Sequence, residues 1–379
     1  MSTVTEPSTP QPVRTSTSLP AWTAVRTVFS LEMKQRLRGR AWYWMLGVWF
    51  VVIGFIFVLG TAFLGTMDNE GGILFDLVVG FVLFFGLLVA PGLSANAVNG
   101  DRAGGTLAIL QVTLLSPGQL LLGKWLASWV GSLAFLVLSS PFIFWALALG
   151  GVDASEALVS LLMLAVELGI LCAIGVGISA LADRPLFSIV STYMVVALLS
   201  IGTLIVFGLS SALVTEERMT TTSYYDYPES AYRDDGMFDE DAELECITQT
   251  YTTPVAHTEY VAWLLAANPF VVVADAVPYG LPDEPPADAL PGPYGPTGDY
   301  YSPGVMEMAS QLVRAAQAGP DLDVTCEEAA AALRPLPQEV PIWPLGLGIQ
   351  LALAGVLLLL GRRRLTMPAR RLAKGTRIA

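Results

Sequence analysis

Six stretches of this chain are apolar over lengths for which a water-soluble fold has little use. Residues 43–64, 73–95, 125–149, 157–181, 186–213 and 342–360 each run close to or beyond the roughly 20 residues a helix needs to cross about 30 Å of hydrocarbon. In lipid a backbone must satisfy its own polar groups, so each run is expected to be helical. The expected fold class is therefore an all-α integral membrane protein with six transmembrane helices. Composition agrees, because 54% of residues are hydrophobic and only 14% charged, a balance that excludes an ordinary soluble enzyme of this size.

Charge then orients the spans. Lys and Arg near a span stay on the cytoplasmic side. Arg14, Arg26, Lys34, Arg36, Arg38 and Arg40 precede the first run, and Arg362, Arg363, Arg364, Arg370, Arg371, Lys374 and Arg377 follow the last. Both termini are thus expected in the cytoplasm, in a plasma-membrane protein that crosses six times. The loops agree, with Asp68, Glu70, Asp153 and Glu156 falling outside and Arg102, Lys124 and Arg184 inside.

The net charge of -13 hides an asymmetry. Residues 214–340, between the fifth and sixth runs, hold 23 acidic and 4 basic residues, so a large acidic extracellular insertion stands on a membrane body that is itself basic. Nothing in this balance points to nucleic acid. The chain divides into a disordered Ser/Thr/Pro-rich tail (1–20), an interfacial helix with five spans (21–213), the extracellular segment (214–340), and the sixth span with a basic tail (341–379). In the interfacial helix Trp22, Val25, Phe29, Met33 and Leu37 form one apolar stripe, with Arg26 and Arg36 projecting onto the same sector.

Within the insertion the acid- and Tyr-rich part up to Cys246 is too polar to make a core alone. Residues 258–277 are nearly long enough to span, but Asn268-Pro269 interrupts them, and a seventh crossing would put a charged segment on the wrong side. Two short helices are expected there, folded back on the outer leaflet or covering the mouth of the bundle. Residues 278–304 read as a Pro/Gly linker, and 305–318 and 325–334 as helices. Cys246 and Cys326 both lie in the insertion and are candidates for a disulfide, whereas Cys172 sits in the fourth span. The one histidine, His257, has no spacing to these cysteines that fits a familiar metal site.

The stretch GQLLLGK, starting at Gly118, reads G-x-x-x-x-G-K and is one residue short of a phosphate-binding loop. Such a loop needs a Ser or Thr after its Lys to reach magnesium, and here Trp125 follows Lys124. Leu120, Leu121 and Leu122 fill its centre and a membrane span comes next. Lys124 reads instead as a positive-inside anchor, and no cofactor or metal is expected in this chain. Upstream, Leu107, Leu110 and Leu114 fall on one face of a short amphipathic helix that Ser116-Pro117 would end, suited to resting on lipid or seating in a groove of another protein.

In this loop the chain resembles the permease subunits of type-2 ABC transporters. The matching pattern comprises Asp101, Arg102, Gly105, Thr106, Leu107, Leu110, Thr113, Leu115, Ser116, Pro117, Leu121, Leu122, Gly123 and Lys124. Leu114 stands where the family usually has Pro, and Ala108 where it often has an acidic residue. The layout is also similar, with a basic amphipathic helix, six spans and an external insertion before the last.

The resemblance implies a permease, expected to be an exporter, that is not itself an enzyme. Loop 99–124 would be the coupling element docked on a separate ABC ATPase subunit, with a second permease subunit completing a homo- or heterodimer in the lipid bilayer. The alternative is a membrane-anchored extracellular binding or signalling module, or ATP-driven force transmission without transport. Three further residues are candidates for a translocation path: Glu167, in mid-span, and Ser139 and Ser140, which with Pro141 also suit a kink. Glu167 either lines that path or relays a proton, or it is a neutral acid hydrogen-bonded to a neighbouring helix or protomer.

Overall fold

The computed structural model describes residues 20–64, 70–105, 115–226, 228, 245–279, 291–292, 295–296, 303–320, 323–326 and 340–366 of the 379. Among these, six helices are long and apolar enough to cross a membrane: Arg40–Phe63, Glu70–Ala103, Pro117–Leu149, Ala154–Leu181, Pro185–Leu213 and Trp343–Leu365. The elements that build them are α1 (Ala21–Arg38), α2 (Arg40–Leu64), α3 (Glu70–Ser94), α4 (Asn99–Ala103), α5 (Pro117–Leu149) and α6 (Ala154–Leu181). The fifth span is α7 (Pro185–Ala197), a π-helical turn (Leu198–Gly202) and α8 (Thr203–Leu213).

The third span starts two turns before its apolar run. Ser116 Oγ accepts from Gln119 N at 3.4 Å while Gln119 Oε1 accepts from Ser116 N at 2.8 Å, and Pro117 occupies the first turn. This reciprocal cap starts a helix. Ser116-Pro117 therefore opens α5, and GQLLLGK is helical, not a loop, while the helix expected upstream at Leu107 to Leu114 lies outside the described residues.

The fourth span, α6, lies at the centre. Some 67% of its apolar window is buried, against 17% for the fifth span. Small residues permit this. A methyl group added at Gly175 would lie 2.0 Å from Ser94 Oγ on α3, so the two helices approach as only glycine allows. One core cluster includes Phe57 of α2, Leu74 and Val78 of α3, Ile143 of α5 and Leu164 of α6.

The insertion is not all helical, which corrects the all-α expectation. β1 (Thr215–Tyr225) and β2 (Cys246–Ala256) pair antiparallel, with Thr215 opposite Ala256 and Tyr225 opposite Cys246, and β3 (Asp323–Val324) adds parallel to β1. Runs of Thr, Tyr and Ile favour strands, and facing hydroxyls bond across the ladder at Ser223–Thr248 (2.9 Å) and Thr222–Tyr251 (3.1 Å). A disulfide joins Cys246 and Cys326, whose Cα atoms are 6.1 Å apart.

After β2 the chain turns into the bundle through two 3-10 turns, Thr258–Tyr260 and Ala262–Ala267, and then α9 (Pro269–Ala276). Asn268 Oδ1 accepts from Phe270 N at 2.9 Å and Pro269 fills the first turn, so the pair that breaks the apolar run also starts a helix. Val272, Val273 and Ala274 are fully buried in the same core as Leu74 and Leu164. Of the two arrangements expected for residues 258–277, the chain takes the one that covers the mouth of the bundle. α10 (Val305–Ala318) packs on α9 and α3, and α11 (Trp343–Leu365) packs on α6. The tail at 1–19 and most of 278–304 and 325–334 lie outside the described residues.

Candidate functional site

The two ends of the bundle differ in how they are fastened. At the basic end, α1 presents Ala24, Val28, Glu32 and Arg36, spaced four apart and so stacked on one face. Ala24 and Val28 are buried, and a methyl at Gly123 of α5 would lie 2.7 Å from Val28 Cβ. That close approach brings Glu32 onto Lys124. Lys124 is only 2% exposed; its Nζ pairs with a Glu32 oxygen and lies 2.6 Å from Asp101 Oδ2. One turn on, Arg36 Nη2 donates to Ser128 Oγ at 3.0 Å and to Leu93 O at 2.9 Å. Burial lowers the Arg36 pKa from its usual range, and Glu32 opposes the shift.

Lys124 is therefore the shared counterion of two carboxylates. The apolar stripe read from the sequence is only partly the packing face, since Val25 is buried while Trp22 is 70% and Leu37 46% exposed. The face that docks is the one carrying charge. Its signal was legible as Glu32 and Arg36 four residues apart, but their partners lie 92 residues away.

The same knot holds the start of the loop singled out by its motif. Ser179 Oγ of α6 accepts from Val98 N (3.0 Å) and Asn99 N (3.1 Å), and Arg102, 5% exposed, bonds to Ala182 O and to Asn99 Oδ1 (3.2 Å). Asp183 then faces Arg102 at 3.8 Å and Arg364 of α11 at 2.6 Å. Thus α4 is tied to α6 by bonds between side chains and backbone, and to α5 by the Asp101–Lys124 pair, whose lysine also holds Glu32 of α1. Beyond it Gly105 has φ 74°, a left-handed turn, and Leu115 packs beside Leu120, Leu121, Val98 and Val28 before the Ser116-Pro117 cap. Thr106, Leu107, Leu110 and Thr113 lie outside the described residues.

Of the three candidates for a path, Ser139 and Ser140 lie on α5 and Glu167 on α6. Trp49 Nε1 donates to Ser139 Oγ at 3.0 Å, and Ser139 donates to Phe135 O at 2.9 Å, so this hydroxyl fastens α2 to α5. Ser140 donates back to Val137 O at 2.7 Å. Glu167 is fully buried on α6 beside Gln350 of α11. The apolar crevice between α2, α3, α5 and α6 is lined by Trp49, Val82, Phe85, Ser132, Phe135 and Leu168, among others.

At the insertion end, carboxylates and an amide meet backbone. Asp76 Oδ2 accepts from Glu307 N at 2.8 Å at the start of α10, and Asp275 Oδ2 accepts from Ile342 N (2.7 Å) and Trp343 N (3.0 Å) at the start of α11. Asn268 Nδ2 donates to Ser200 O (2.7 Å), in the π-helical turn, and to Thr203 Oγ1 (3.0 Å). A π turn leaves carbonyls without their usual partners, and Asn268 supplies one. The Glu307 carboxyl is raised from 4.5 to about 7 by burial first, then by Asp76 and Glu156. His257 Nδ1 lies 2.8 Å from Glu259 Oε1 and its ring stacks on Tyr260, while Cys246 and Cys326 are taken up in their disulfide. Among the described residues, no group of three His, Cys, Asp or Glu is placed to hold a metal ion.

Neither a family model nor a curated protein sequence matches this chain. What the fold establishes is a multi-span helical membrane protein.

Proposed function

We propose that this protein is the membrane-spanning permease subunit of an ABC transporter, driven by a separate ATPase through the loop at 99–124. One observation carries the reading: Lys124, at the head of the third span, is buried between Glu32 and Asp101. A push on the loop that begins at Asp101 reaches α5 and α1 together, and α6 through Arg102 and Ser179. Coupling by an external motor requires such a rigid attachment, because a ligand or partner shifts a bundle only through contacts that differ between its states. The chain itself hydrolyses nothing in this reading. The basic end faces the cytoplasm, the insertion lies outside, and the first and fifth spans, whose apolar windows are only 22% and 17% buried, offer faces to lipid and to a second permease copy. Transport runs outward.

A second reading, force transmission to an external partner, draws support from the fastening of the insertion. Asp76, Asn268 and Asp275 bolt it to three spans, so movement of the bundle would move the insertion as well.

The test is ATP chemistry. The isolated chain is expected not to bind ATP, and protein solubilised gently from its native membrane to carry a copurifying ATPase activity. Leu110→Asp, placing a charge among the leucines of the loop sequence, should abolish that activity while the protein still inserts. ATP binding by the isolated chain that Lys124→Ala removes, with copurification indifferent to Leu110→Asp, would overturn the reading.

A further inference from the structure

Glu167 and Gln350 face each other in the middle of the bundle, 0% and 1% exposed. Among the described residues neither Glu167 oxygen has a hydrogen-bond partner, and neither does Gln350 Oε1. Gln350 Nε2 is already used: it donates to Ala267 O, at the tip of the re-entrant segment, at 3.2 Å. The orientation of this amide follows from chemistry, because a backbone carbonyl can only accept. Close contact of the two elements is built in, since a methyl at Gly346, one turn earlier on α11, would lie 2.1 Å from Ala266 O. Gln350 is the polar side chain beside Glu167, but its donor end is given to Ala267 O and its Oε1 can only accept, so a carboxylate here has no donor committed to it.

The titratable groups on the helices around Glu167 are engaged elsewhere. On α3, Asp76 caps α10. On α6 itself, Cys172 lies 3.7 Å from Ser132 Oγ of α5. On α7, Tyr193 donates to Leu88 O at 2.8 Å, and on α1, Arg36 is held by Ser128 and Leu93. α9 carries Asp275, which caps α11, and α11 presents Gln350.

We propose that Glu167 is a proton-binding site that latches the re-entrant segment: protonated, it donates to Gln350 Oε1 and leaves Nε2 on Ala267 O. When the proton leaves to solvent, the carboxylate needs a donor in a medium without water, and Gln350 Nε2 is the one within reach. The amide turns, and the 3-10 turn Ala262–Ala267 loses its side-chain hydrogen bond to the sixth span. The sixth span and the mouth cover are in this way linked to the protonation of one buried acid. This does not depend on which partner drives the bundle.

Infrared difference spectroscopy of the full chain in lipid, combined with hydrogen exchange, tests the latch. Wild type is expected to show a protonated carboxylic-acid band at neutral pH that is lost in Glu167→Gln and bleaches as pH is raised. Over the same pH interval the amides of 262–268 should lose protection after correction for intrinsic exchange. Glu167→Gln, whose carboxamide still donates to Gln350, should keep them protected throughout. Absence of the band in wild type, or its survival in Glu167→Gln, overturns the proton site without recourse to any variant's stability. A loss of protection that is the same in wild type and Glu167→Gln overturns the latch.

Discussion

The two ends of this bundle solve one problem, attaching peripheral structure to a set of spans, in opposite ways. At the basic end the attachment is ion pairing between side chains, with Lys124 shared by Glu32 and Asp101, and Asp183 shared by Arg102 and Arg364. At the insertion end it is carboxylate or amide to backbone, with Asp76, Asp275 and Asn268 each satisfying groups that helix ends or a π turn leave unpaired. A buried ion pair is costly to break because the remaining charge stays behind. A helix end that loses its cap loses neutral backbone hydrogen bonds, leaves no charge behind and frays locally. The difference suits a permanent, load-transmitting joint at one end and a joint that can open at the other.

Breaking the first kind should have the largest effect. Lys124→Ala strands Glu32 and Asp101 and is expected to destabilise the protein by about 3–5 kcal/mol, read as a drop in thermal midpoint in detergent. The double variant with Glu32→Gln should recover part of that loss, and a mild effect of Lys124→Ala alone would mean that the pair is solvated.

The second end should instead respond to pH. Glu307, raised from 4.5 to about 7, binds its proton more tightly folded than unfolded. Its contribution is therefore fully present below about pH 4.5 and lost as pH rises through about 7. Hydrogen exchange across α10 should show protection falling over that interval, and Glu307→Gln should flatten the profile. Smallest is the loss of a single cap: Asp275→Ala should cost about 1 kcal/mol and show as faster exchange at the first turn of α11, with the basic end unchanged.

How much of this was legible in the sequence follows the same division. Spans could be read because some twenty apolar residues in a row have few other uses, and the mouth cover because Asn268-Pro269 cannot continue a helix. The true start of α5 was also written, as Ser116-Pro117 followed by Gln119, but Leu107, Leu110 and Leu114 made the same pair read as the end of an upstream helix. The hairpin was missed because Thr- and Tyr-rich strands carry little apolar content, and their alternation is weaker than a span's hydropathy. Lys124 could not be placed, since nothing local says that a lysine beside a span will meet carboxylates from two distant segments. The π turn has no local signature either; it exists with Asn268 as its partner. Of the proposed coupling loop, the ends were found as fastened structure, whereas Thr106, Leu107, Leu110 and Thr113 lie outside the described residues.

In the proposed function the ion-knotted end faces the cytoplasm and the insertion faces out. Single cysteines at Ala103 and Thr366 on one end, and at Tyr260 on the other, are exposed positions at which to ask this, against native cysteines that are buried or disulfide-bonded. With a membrane-impermeant thiol reagent, Tyr260→Cys is expected to label in intact cells, and Ala103→Cys and Thr366→Cys only after permeabilisation. Labelling of Ala103→Cys in intact cells would place the loop outside, away from any cytoplasmic ATPase, and would contradict the account.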